Sequence, residues 1–186
     1  MSHTADDLIR LLKPHYNSAA QYCHALFQDS NDAQDGLQDA IITALEKLHT
    51  LKDPERFRSW FFTIITRTFY SARRKEKKKQ QLYAVLITAQ QGFPTVFDDG
   101  SASAREIALM AALNTLSPKE RAAILLFELG GFSQEEIRQI QGESSLSAIK
   151  SRLSRTREKL RNAITLIEKE TETGGYYDRK NGISGR

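Results

Sequence analysis

Apolar residues recur along this chain at steps of three and four, the period of one helix face. No segment alternates apolar and polar residues as a half-buried strand does. The pattern predicts helices over about residues 4–27, 31–48 and 54–79, and again over 104–115, 118–129, 133–141 and 146–170. In the second of these, Leu37, Ile41, Leu45 and Leu48 keep helical register, and Asn31 or Asp32 stands where an N-terminal cap belongs. Pro54 holds Asp53 outside the helical region and suits the first turn of the helix that follows. Farther on, Ser117-Pro118 with Glu120 makes one helix start, and Ser133 with Glu136 makes a capping box.

The periodicity lapses twice. Residues 81–103, ending in "QQGFPTVFDDGSAS", carry two Gly, one Pro and paired Asp, the composition of a linker. From residue 171, "TETGGYYDRKNGISGR" is polar and Gly-rich and reads as a disordered tail. The expected fold class is therefore all-α: two small helical domains, 4–80 and 104–170, joined by a flexible linker over 81–103 and followed by a tail over 171–186.

Charge changes the picture more than composition does. The 186 residues are 40% hydrophobic and 27% charged, ordinary for a folded protein, with a net charge of +4. That charge is clustered. Residues 1–66 carry six Lys/Arg against nine Asp/Glu, residues 67–79 seven against one, and residues 147–161 six against one. Two separate basic blocks imply two contacts with a polyanion. The apolar run from Trp60 to Ala72 is too short to cross a bilayer and is broken by Arg67. "MSHTADDLIRLL" lacks the basic flank of a signal peptide. One cysteine, Cys23, forbids an internal disulfide and fits a reducing cytoplasm. His3, His15, His24 and His49 are scattered and no Gly-rich phosphate loop occurs, so neither a metal nor another cofactor is expected.

Phe132 to Leu160, "FSQEEIRQIQGESSLSAIKSRLSRTREKL", has the layout of a helix-turn-helix. At about 100° per residue, Leu146, Leu153 and Leu160 fall on the side of Ile149. Lys150, Ser151 and Ser154 fall opposite, with Arg155 at the edge and Arg152 and Arg157 on the flanks. Small hydroxyls allow close approach to a major groove, and the long cations reach guanine edges and phosphates. The same angular reading of Phe57 to Lys79 gives an apolar arc through Phe61, Phe62, Ile64, Ile65, Phe69 and Ala72, wider than one neighbouring helix needs. Thr63, Arg67, Tyr70 and Arg74 form the complementary stripe, with Thr66 and Arg73 beside them. Tyr70 is the exposed aromatic of that stripe, placed to stack on an unpaired base between cations that neutralise phosphate. These features alone also suit a stand-alone helix-turn-helix regulator.

Four segments in order, "DAQDGLQDAIITALEKL", "FRSWFFTIITRTFYSARRK", "LNTLSPKERAAILLFELGGFSQEEIRQI" and "IKSRLSRTREKLR", resemble regions two and four of bacterial sigma factors of the extracytoplasmic-function (ECF) class. The resemblance spans about residues 8–79 and 105–162. It implies a sigma factor that binds core RNA polymerase and directs initiation at promoters, with no catalytic residues of its own. It implies that Asp32, Asp35, Gln38 and Asp39 dock on the clamp helices of the largest polymerase subunit, with region four on the flap. The loop from Thr50 to Arg56 matches the segment that captures a flipped minus-ten base. Arg56, Thr63, Arg67, Tyr70, Ser71, Arg73 and Arg74 face that element, and Lys150, Ser151, Arg152, Ser154, Arg155 and Arg157 the minus-thirty-five element. Asp98 and Asp99 resemble the acidic linker that threads toward the active centre. An anti-sigma protein is the further partner implied. The chain departs from the family at Arg67 and Ser71, where Asn and Asp are usual, and in "GESSLSAIK", a turn one residue longer than usual.

Overall fold

The computed structural model describes residues 4–86 and 104–180, and no strand occurs among them. Thr4 and Asp7 close a capping box over α1 (Ala5–Leu12). Pro14 then interrupts the helix expected over 4–27. Lacking an N–H and crowding the preceding turn, it forces a 3-10 turn at Lys13–His15 before α2 (Tyr16–Phe27) resumes. α2 ends at Gln28, whose φ of 66° puts it in the left-handed region.

The cap of α3 (Ser30–Lys47) is Asp29, not Asn31 or Asp32. Its carboxylate accepts the backbone N–H groups of Asn31 and Asp32 at 2.8 and 2.9 Å. The buried face of α3 overlaps the expected one, with Leu37 and Leu48 buried and Ile41 packed on the core, but it is rotated away from Leu45. Ala33, Gly36, Leu37, Ala40 and Ala44 turn inward, and Leu45 stands 43% exposed. Small residues let α3 lie close against α2 and α4. The larger Leu45 and Ile42, on the neighbouring stripe, are left outside.

Asp53 caps a 3-10 turn at Pro54–Arg56, which leads into α4 (Phe57–Leu86). Phe57, Phe61, Phe62, Ile64, Ile65 and Phe69 are all buried, so the wide apolar arc is real, and its width has a cause. α4 packs on α2 and α3 along one side and on α6 and α7 of the second half along the other. Thr66 belongs to the core rather than to the cationic stripe: it is fully buried, donates to the Phe62 carbonyl, and pairs with the Tyr22 hydroxyl at 3.0 Å. That bond satisfies the one polar atom of the fully buried Tyr22.

The second half comprises α5 (Ala104–Asn114), α6 (Pro118–Glu128), α7 (Gln134–Gln141) and α8 (Leu146–Lys180). Ser117 with Glu120 and Ser133 with Glu136 form the two expected capping boxes. Gly142, at φ 65°, ends α7 in the left-handed conformation that opens the turn of a helix-turn-helix. α5, α6 and α7 all pack on α8. α8 continues to Lys180, beyond residue 171 where the tail was expected to begin. The expected linker lies outside the described residues from 87 to 103, with Asp98 and Asp99 in it, as do residues 181–186.

The halves share one hydrophobic core. Phe62 meets Phe132 at 4.9 Å between ring centroids. Arg121, only 5% exposed, donates to the carbonyls of Leu113 and Leu26 and to Asn114 Oδ1, so its guanidinium joins α6 to the end of α2. Burial, with Arg73 nearby, pushes it down to about 10.

Inside α3, a Cβ on Gly36 would lie 2.5 Å from Phe27 Cζ, and the Phe27 ring is held edge-on to Phe69. Gly36→Ala gains about 1 kcal/mol of helix propensity but overpacks the α2–α3 contact at a cost of about 1–3 kcal/mol. The midpoint of urea unfolding is expected to fall, and Phe27→Leu in the same chain to restore part of the loss.

Candidate nucleic-acid interface

The surface of α8 is divided as its sequence requires. Ile149 and Leu153 are buried with Thr156, and Leu160 packs partly against the same core, while Leu146 stays at the surface. Lys150, Ser151, Ser154 and Arg155 are all exposed on the remaining face. Two flanking cations are engaged within the protein. Arg152, with a side chain 15% exposed, donates to Gln141 Oε1 at 2.5 Å and Glu143 at 2.7 Å, tying the recognition helix to the turn before it. Arg157 pairs with Glu128 at 3.0 Å and lies over the Phe127 ring, 4.8 Å from its centroid.

On α4, Arg67 and Arg74 are exposed, and Thr63 and Ser71 are half-buried. Tyr70 is not the exposed aromatic expected of that stripe. It is half-buried, its hydroxyl accepts a hydrogen bond from Gln141 Nε2 at 3.1 Å, and burial raises its pKa above the ordinary tyrosine value. The cause is the second half: the turn after α7 lies over this part of α4. Arg73 likewise looks inward, donating to the Phe27 carbonyl at 3.1 Å and to Glu76 at 2.6 Å.

The loop from Thr50 to Arg56 sits beside the start of α4. Trp60 Nε1 donates to Thr50 Oγ1 at 3.3 Å, and Arg56 pairs with Asp53 at 3.6 Å. Together with Thr63 these residues line a groove whose far wall is Gln139 and Ile140 of α7. Sequence reasoning missed all three of Trp60, Gln139 and Ile140 as parts of this site. Trp60 counted there only as an apolar position, and nothing local marks two residues of α7 as neighbours of a loop so far away in the chain. Asp32, Asp35, Gln38 and Asp39 are all exposed along α3, near the exposed Ile42 and Leu45, and Asp32, Asp35 and Asp39 line a groove with Ser71 and Arg73 of α4.

Glu143 organises the turn, accepting from Lys119 Nζ at 2.9 Å and from Arg152 at 2.7 Å. Those hydrogen bonds hold its carboxyl below the usual glutamate range. A depressed pKa stabilises the fold above the unfolded value, about 4.3, and that stability is lost as pH falls through the folded value. Glu143→Gln is therefore expected to lower the thermal midpoint near neutrality and to converge with the parent chain in acid. Calorimetric melts across that range measure it.

Residues 11–79 match the Sigma-70 region 2 family model, and residues 106–160 match Sigma-70, region 4. The chain is 25% identical to RNA polymerase sigma factor SigV of Bacillus subtilis, covering 85% of this chain and 91% of that one. It is 28% identical to ECF RNA polymerase sigma factor EcfG of Rhodopseudomonas palustris, with 77% of each covered. Among solved structures it resembles the sigma factor RpoE of Bartonella quintana, crystallised with the anti-sigma factor NepR. That likeness has a TM-score of 0.65 and 28% identity over 86% of this chain and 95% of the other. A regulator built on a helix-turn-helix alone leaves the region 2 match, and the acidic and cationic faces within it, without a role. With both regions present in order, and each presenting a charged face, the chain belongs to the sigma factors of the ECF class.

Proposed function

We propose that this sigma factor divides promoter recognition between its two basic faces and docks on polymerase through α3. The observation that carries the reading is α8, where Lys150, Ser151, Ser154 and Arg155 stand exposed together over a buried Ile149–Leu153 seam. A rigid helix backed by a packed core can enter a major groove and read base edges through these side chains. Arg152 and Arg157 reach phosphate only by releasing Glu143 and Glu128. In the region 2 domain, residues 4–80, the loop with Arg56, and Thr63, Arg67, Tyr70, Ser71, Arg73 and Arg74 of α4 take the minus-ten strand. Extruding a base costs a few kcal/mol, and stacking of about 1–3 kcal/mol per base offsets it. Arg67 and Ser71 set this chain's minus-ten preference apart from that of its class.

Asp32, Asp35, Gln38 and Asp39 face the polymerase clamp helices, a polar, charge-complementary contact flanked by Ile42 and Leu45. The region 4 domain, residues 104–170, rests on the flap. The chain supplies recognition and leaves catalysis of RNA synthesis to the core, and it acts in the cytoplasm. Among the described residues no helix is long and apolar enough to cross a membrane. An anti-sigma factor, such as the one that accompanies the Bartonella quintana protein, is the partner expected to hold it inactive.

Run-off transcription with purified core on a genomic promoter library tests the reading and yields the promoter sequence. Lys150→Ala with Arg155→Ala should cost about 1–3 kcal/mol per lost base contact on promoter fragments while core binding is retained. Equal loss of both would place the reading helix elsewhere. In a core pull-down, Asp35→Ala with Asp39→Ala should weaken capture and leave duplex affinity for the minus-thirty-five element unchanged.

A further inference from the structure

Three features of the second half converge on the surface assigned to the minus-ten strand. Gln139 and Ile140 of α7 form one wall of the groove at the Thr50–Arg56 loop. Gln141, at the end of α7, occupies the Tyr70 hydroxyl and helps bury the ring. Arg58 of α4 reaches the other way: its guanidinium lies 4.0 Å from the Phe132 ring centroid and donates to the Gly130 carbonyl. A strand entering the groove meets α7 along one wall, and one stacking on Tyr70 must displace Gln141.

The polar part of the contact is built to separate, and the apolar core that the halves share sets the cost of opening. Beyond that shared core, the bonds across the contact run from long polar side chains to single acceptors: Arg58 to Gly130, Gln28 to Met110, Arg121 to Leu26, Gln141 to Tyr70. Water replaces such bonds at little net cost. Keeping the Arg121 cation dry is itself unfavourable, and opening relieves it. The minus-thirty-five face is left uncovered, since Lys150, Ser151, Ser154 and Arg155 are exposed in the same arrangement.

We propose that the helix-turn-helix half is an intramolecular competitor of the minus-ten strand, latched over α4 by Arg58 and Gln141, so that closure blocks strand capture while leaving duplex reading free. This rests on the assignment of α4 and its preceding loop as the minus-ten surface. Neither latch residue belongs to the reading sets, but Gln141 also accepts from Arg152, so Arg58→Ala is the variant that leaves every assigned DNA contact untouched. Arg58 stacks across the joint, and its loss leaves the Gly130 carbonyl without that donor in the closed form only.

The test uses the full chain without core, as Arg58→Ala, Gln141→Ala and the double variant, each checked by circular-dichroism melting. Trp60 is the sole tryptophan and lines the covered groove, so acrylamide quenching of its emission reports opening. Binding of a labelled single-stranded random-sequence pool reports strand access, and a duplex pool serves as the control. Stronger quenching is expected in each variant. Apparent affinity scales with the open fraction. Arg58→Ala should therefore bind the single strand about tenfold tighter with duplex affinity unchanged, and the double variant should bind the single strand no more weakly than that. Unchanged quenching in Arg58→Ala and Gln141→Ala alike would overturn the latch. Opening with single-strand affinity unmoved would overturn the competition, even if the parent chain initiates transcription with core. If Arg67→Ala with Arg74→Ala in the opened chain leaves strand affinity intact, the minus-ten assignment itself falls, and the inference with it.

Discussion

The packing of α4 on two sides at once is the constraint on which the rest of the molecule depends. An amphipathic helix against one layer needs an apolar stripe; this one presents an arc, from Phe57 and Phe61 round to Phe62 and Phe69. Stacked, tilted and edge-on rings fill that arc: Phe57 on Phe61, Phe62 against Tyr22, and Phe69 edge-on to Phe27. Phe62 reaches both sides, meeting Tyr22 in one half and Phe132 in the other. Interiors this dense leave little room for adjustment, so the ring positions set where α7 and its turn can lie.

From that joint follows the fate of the polar residues. Side chains on the free face of α4, Arg67 and Arg74, remain in solvent, while Tyr70 and Arg73 fall under the second half or against α2. On α8 the same logic operates more simply. Its buried seam faces α5, α6 and α7, and the reading residues are left outside. Glu143 fixes the turn between α7 and α8 by drawing Lys119 and Arg152 onto one carboxylate. The turn is thus held by charge as well as by the left-handed Gly142 that closes α7. The same side of α4 that carries Tyr70 is thus the one on which the second half packs.

Much was legible in the residues. The helix ends marked by Ser117 and Ser133, the break at Gly142 and the two-faced character of α8 each follow from local chemistry that no tertiary context reversed. The family was legible too, because four segments in fixed order carry more information than any one of them. Where the reading failed, the signal was ambiguous within one helix. On α3 the expected stripe of Leu37, Ile41, Leu45 and Leu48 holds except at Leu45, because the buried face is shifted toward the alanines and Gly36. Close packing decided that shift, since only small residues let α3 approach α2.

The sequence by itself determined the helices, their caps and the side chains able to meet DNA, because propensity, capping and amphipathic period act within a few residues. Only the tertiary structure decided that Tyr70 is covered, that Thr66 is core and that Arg58 and Gln141 span the two halves. Each of those facts depends on residues about 44 to 72 positions apart in the chain meeting in space. No local preference encodes such a meeting; it is set by how the aromatic arc of α4 is filled from both sides.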